Sequence, residues 1–209
     1  MTAYVQHKGP TGPSSAQTRG LSSRIWGRLP IKNWSVGLGG GRFFFDDFMN
    51  HPAHISSQTI GNYASYIDTG VTLKQSATEA TGAIEVAGND ADNDEGSIIS
   101  GGGAGGMVAI DATGAGRIAF ECRFKKASIA NNALGFFVGL SEESSQAANA
   151  LVDNTGVVAD KDFIGFSNLA DDGDSLDFTW RTSGQTVQVH ANIATMAADT
   201  YMKMGFLYD

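Results

Sequence analysis

The stretch Arg117-Ile-Ala-Phe-Glu-Cys-Arg-Phe-Lys125 decides the fold class. Ile118, Phe120, Cys122 and Phe124 share one parity, while Arg117, Glu121, Arg123 and Lys125 share the other. Strict alternation of this kind belongs to a strand with one face on a core and the other towards solvent or a partner. On that second face Glu121 is read as pairing with Arg117 and Arg123. Cys122, on the apolar face, is read as a core side chain rather than a nucleophile. The same test groups Met202, Met204, Phe206 and Tyr208 within Thr200–Tyr208. Leu134-Gly-Phe-Phe-Val-Gly-Leu140 is apolar or Gly throughout, as expected of a central strand whose glycines admit a close neighbour.

Working outward, short β-type runs recur between clusters of Gly, Asp and Asn. They are Arg42–Phe48, Tyr66–Leu73, Gly82–Val86, Gly96–Ile99, Met107–Asp111, Asp162–Ser167, Ser175–Arg181, Thr186–His190 and Tyr201–Tyr208. Such spacing predicts an all-β chain, an antiparallel sandwich or barrel over residues 43–209. Only Ser141–Leu151 reads as helical, with Glu142 and Glu143 suited to a helix N-terminus.

Residues 1–42 read differently, as an extended arm. Gly9-Pro-Thr-Gly-Pro-Ser-Ser15, Gly20-Leu-Ser-Ser23 and Gly37-Leu-Gly-Gly-Gly41 break any periodicity. Lys8, Arg19, Arg24, Arg28, Lys32 and Arg42 are the only charged side chains before Asp46, so the first 45 residues carry +6. Subtracting these six from 14 cations leaves 8 against 22 acids, or −14 on the remaining 164 residues. The net −8 is therefore a basic arm joined to an acidic body. Arg19, Arg24, Ile25, Trp26, Arg28, Leu29, Ile31 and Trp34 mix cations with apolar and aromatic side chains, the residue types that anchor interfaces. Two readings stay open: these residues pack back on their own domain, or they order on a partner surface. Six dispersed cations without a basic run make no specific nucleic-acid footprint.

Several classes fall away. One cysteine in 209 residues excludes an internal disulfide framework. No apolar run reaches the ~20 residues of a membrane span, and Met1–Pro10 lacks the apolar stretch of a signal peptide. The chain has no Gly-x-Ser-x-Gly elbow and no Glu-x-Asp-x-x-Glu strand that would aim paired carboxylates into a groove. His51 and His54 have no further ligands at zinc spacing. Asp90, Asp92 and Asp94 alternate as in a calcium loop, but Gly96 falls one place late and Gly101 stands where a Glu would close the site. They and Asp171–Asp174 are read as turns, and no cofactor is expected.

Several elements taken in order resemble a family of tailed-bacteriophage virion structural proteins. They are Phe43–Phe48, Asn93–Ser97, Ile118–Phe124, Asn132–Leu140, Asp153–Gly156, Asp160–Phe166, Asp171–Asp174 and Met204–Asp209. The resemblance implies a concanavalin A/laminin-G-like jelly roll without catalytic residues, located on the capsid surface as a decoration or cement protein, or a related surface or fibre component. It also implies that further strands follow Asp209. The expected partner is the major capsid protein, contacted by the arm, with a homo-oligomer such as a trimer suited to a symmetric shell. The alternative is a lectin-like module of a tail fibre or adhesin, binding glycan through Tyr63, Tyr66, Trp180 and the Asp90–Asp94 loop.

Overall fold

The computed structural model describes residues 22–26, 29, 44–48, 59–60, 63–79, 82–88, 95–100, 117–130, 135–142, 159–169 and 172–208. The expected strand at Met107–Asp111, the helix beyond Glu142 and the Asp90–Asp94 loop lie outside them. Among the described residues the architecture is an antiparallel β-sandwich with one helical turn, α1 (Ser23–Trp26). Eleven strands follow: β1 (Thr59–Ile60), β2 (Tyr63–Ile67), β3 (Thr72–Gln75), β4 (Ile84–Ala87), β5 (Gly96–Ser100) and β6 (Ile118–Phe124), then β7 (Phe136–Ser141), β8 (Phe163–Asn168), β9 (Ser175–Arg181), β10 (Gln188–Thr195) and β11 (Met202–Tyr208).

The largest sheet runs β10-β9-β8-β7, and β11 pairs with β6. Two smaller units complete the set, β1-β2-β5 and the β3-β4 pair. The main core lies between the four-stranded sheet and the β6–β11 pair. Phe166, Leu176 and Phe178 come from one side, and Met202, Met204 and Phe206 from the other. The alternation of β6 is realised, because Phe120, Cys122 and Phe124 all pack on this core. Burial pushes the Cys122 thiol well above its ordinary value, as expected of an inert core cysteine. Phe206 meets Phe120 at 5.3 Å, Phe178 at 5.6 Å and Phe166 at 6.2 Å between ring centroids. These spacings lie within the range of favourable aromatic pairs.

Asn168 is buried at the end of β8, and its side-chain amide donates to the carbonyls of Gly173 (3.3 Å) and Ser175 (2.6 Å). Asp172 accepts the Leu169 N–H at 3.1 Å, so the tight connection into β9 is held by polar side chains on its own backbone. Lys126 donates to Asn168 from the opposite side. Its half-burial pulls the ammonium below the ordinary lysine value.

Three expectations change. Tyr66–Leu73 is not one strand, because a turn at Asp68–Gly70 separates β2 from β3 and Gly70 takes φ 90°. The described part of the aromatic run, Phe44–Phe48, is not a strand either. Asp46 accepts the Phe48 N–H at 2.7 Å and the Tyr63 O–H at 2.8 Å, which turns the chain locally and leaves Phe48 at φ 56°. Finally, Ser141, the first residue of the expected helix, is instead the last residue of β7, and Glu142 after it pairs with Lys161 at 2.9 Å and accepts the Asp162 N–H at 2.9 Å.

Candidate functional site

The arm meets the sandwich on the face of β6 and β11 that points away from the main core. Gly205 of β11 lies opposite Glu121 of β6 in the pairing register. Its neighbours of the same parity are Lys203 and Leu207. A glycine in this outward row leaves a pit where a side chain would stand, and Ile25 of α1 fills it. A Cβ added at Gly205 would overlap Ile25 Cδ1 and sit 2.6 Å from the Phe120 carbonyl oxygen. Ile25 is 1% exposed. Full burial of such a side chain contributes roughly 1.5–3 kcal/mol.

Polar contacts fix the register of this docking. The Ser22 N–H donates to both carboxylate oxygens of Glu121, each at 3.1 Å. Ser22 then opens the helical turn, its carbonyl accepting from the N–H groups of Ile25 (3.2 Å) and Trp26 (2.8 Å). Lys203 places its ammonium 3.6 Å from Glu121 Oε1. Glu121 thus holds a cation from its own sheet and a backbone donor from the arm. Its side chain is only 6% exposed. Burial pushes the carboxyl above the ordinary carboxylate value, while Lys203 and the Ser22 N–H pull the other way.

This corrects the reading of Glu121 as a solvated group paired with Arg117 and Arg123. The arm covers it, and Lys203 is its cation. Arg123 instead stacks over the Tyr201 ring, its guanidinium carbon 3.8 Å from the centroid. A second attachment lies just past the arm in sequence, where Phe44 and Phe48 pack on Tyr63 at 6.0 and 5.7 Å between ring centroids. The Phe48 carbonyl accepts from Gln75 at 3.1 Å.

Of the side chains expected to anchor the arm, Ile25 is buried in the chain's own sandwich. For this residue, packing back on the domain is what the structure adopts. Trp26 and Leu29 are half-buried, with the Leu29 N–H donating to the Trp26 carbonyl at 3.0 Å. Arg24 belongs to the backbone of α1. Arg19, Arg28, Ile31 and Trp34 lie outside the described residues. Among the glycan candidates, Tyr63 is 8% exposed with its hydroxyl on Asp46, and Trp180 packs on the main core. The buried Tyr63 ring offers no open platform. Burial and Asp46 together raise the Tyr63 hydroxyl above its ordinary value.

Asp90, Asp92 and Asp94 lie outside the described residues, and among the described residues no three His, Cys, Asp or Glu side chains group as a metal site. No described helix is long and apolar enough to cross a membrane. The receptor residues Glu121, Lys203 and Gly205 were not foreseen as a set. The available signal was Gly205, a glycine interrupting the outward row of an otherwise regular strand. No family model, curated protein or solved structure matches the chain.

Proposed function

We propose that the chain is a structural subunit of a bacteriophage virion, attached to the capsid by its basic arm and displaying its acidic sandwich outward. The observation that carries this reading is the clamp at Ser22–Trp26, which gives the arm a fixed departure point on the sandwich. Residues 1–21, which include Lys8 and Arg19, precede that point in the sequence and are the part offered to a partner, and residues 27–43, with Arg28, Lys32 and Arg42, separate it in sequence from the second attachment. The acid-free composition of the arm suits an anionic surface, and the body's −14 keeps copies of the sandwich from collapsing on one another. The resemblance of the ordered elements to virion structural proteins points the same way. Weak individual contacts suffice when many copies bind one shell.

The test separates the arm's two parts. Removing residues 1–21 leaves Ile25 in its pit and should leave the melting temperature within a few degrees of the full chain. It should also abolish co-sedimentation with shells assembled from the major capsid protein. Undiminished co-sedimentation of the truncated chain would rule out attachment through residues 1–21.

A further inference from the structure

We infer that the Gly205–Glu121 socket is a receptor for the Ser22–Trp26 segment of a second copy of this chain, so that neighbouring copies exchange arms. The contact is modular in the way such exchange needs. It includes an apolar knob, Ile25, a backbone donor, Ser22 N–H, and a receptor on β6 and β11. Every receptor group is supplied by strands whose pairing does not involve the arm, so the socket exists whether or not its own knob is seated. The same interactions form at equal enthalpy when the knob comes from another copy, which is the physical basis of swapping.

Reach and charge favour the exchange when copies are crowded. The 17 residues from Gly27 to Phe43 span at most roughly 55–60 Å when extended, enough to carry the knob beyond its own sandwich. The acid-free arm at +6 is complementary to a neighbouring body at −14, whereas two bodies repel. Each copy donates one knob and offers one socket, a head-to-tail contact that closes into rings or runs along a lattice. In dilute solution the tethered knob wins, because its effective concentration is on the order of 1 mM. In an array the neighbours' arms match that concentration. The inference thus relies on the attachment reading only for where exchange occurs; the exchange itself is a property of the socket and needs no shell.

The experiment uses the full chain carrying Ile25→Asp, which keeps the socket and disables the knob. A fluorescent peptide of residues 17–31 should bind this variant saturably, bind the unaltered chain at least tenfold more weakly, and lose binding when the peptide itself carries Ile25→Asp. Ser22→Pro, which removes the donor N–H, supplies a second knob-disabled chain should the first not fold. Sedimentation at concentrations approaching ~1 mM should show self-association of the unaltered chain and none for either variant. Absence of peptide binding to a folded knob-disabled chain overturns the inference, as does self-association that survives loss of the knob. Either outcome leaves the shell co-sedimentation result standing on its own.

Discussion

The two sheets that enclose the main core each use glycine on the face away from that core, and they differ in what fills the glycine's place. On β7 and β8, Gly139 and Gly165 pair directly. Phe137, two residues along the same strand, lays its ring across both, so a Cβ at either glycine would come within 2.9 Å of Phe137 Cζ. The ring also meets Phe163 edge-on at 5.5 Å. On β11 the filler is Ile25, carried by a helical turn far away in sequence. The first cover is part of the sheet and leaves only when the sheet unfolds. The second can detach while every strand stays paired, so the two regions should differ in cooperativity even though their local packing is alike.

The comparison is broken most forcefully on the β7–β8 side. Phe137→Ala removes a ring wedged over two glycines and should lower global stability by about 3 kcal/mol, read as a shifted midpoint of a single denaturant transition. Gly165→Val should cost a similar ~3 kcal/mol or prevent folding, because its Cβ meets the Val138 carbonyl and the Gly139 Cα, which have no rotamer through which to yield. If Phe137→Ala leaves the midpoint unchanged, the ring is not a structural cover and the contrast collapses.

On the arm side the expected loss is smaller and appears elsewhere. Ile25→Ala should weaken docking by about 2 kcal/mol, the low end for truncating a buried aliphatic side chain, because the segment can lift off rather than leave a cavity. Hydrogen exchange should register this as faster exchange at the Ser22 amide with little change at β8 and β9. A matching loss of protection across the core strands would show that arm and sandwich unfold as one unit.

How far the sequence reaches follows from the same distinction between local and distant covers. Ser175–Arg181 is a strand over the residues expected, because its alternation is uninterrupted. Thr186–His190 underestimates β10, which runs to Thr195. The register shifts between His190 and Ala194, where Asn192 takes φ 55° and its N–H donates to Asp177 at 2.8 Å. A bulge of this kind breaks the period on which strand reading depends. For Glu121, alternation correctly assigned the face and could say nothing of what covers it. That depended on a turn more than ninety residues earlier, whose composition reads as loop. Gly205 alone carried the information, and a lone glycine in a strand indicates close approach without naming the visitor.

The finest distinction concerns the charge beneath the arm. Glu121 has its carboxyl pushed above the ordinary value of 4.5 by burial under α1, against the pull of Lys203 and the Ser22 N–H. Undocking returns it to solvent beside Lys203, where burial no longer opposes ionisation. The docked state therefore binds a proton more readily than the undocked state. Glu121's contribution to docking is accordingly full below the ordinary carboxylate range and declines as pH rises through its elevated docked value. Glu121→Gln mimics the protonated form at every pH. Relative to the unaltered chain it should gain arm protection as pH rises from about 4 to 7, with the two chains converging at the acidic end. Exchange at the Ser22 amide, measured in both chains across that range, reads the difference directly and cancels other carboxylates that titrate alike in both. The opposite slope, with Gln losing protection towards neutrality, would mean that the charged pair with Lys203 outweighs burial and that the arm is held by its carboxylate rather than by its isoleucine.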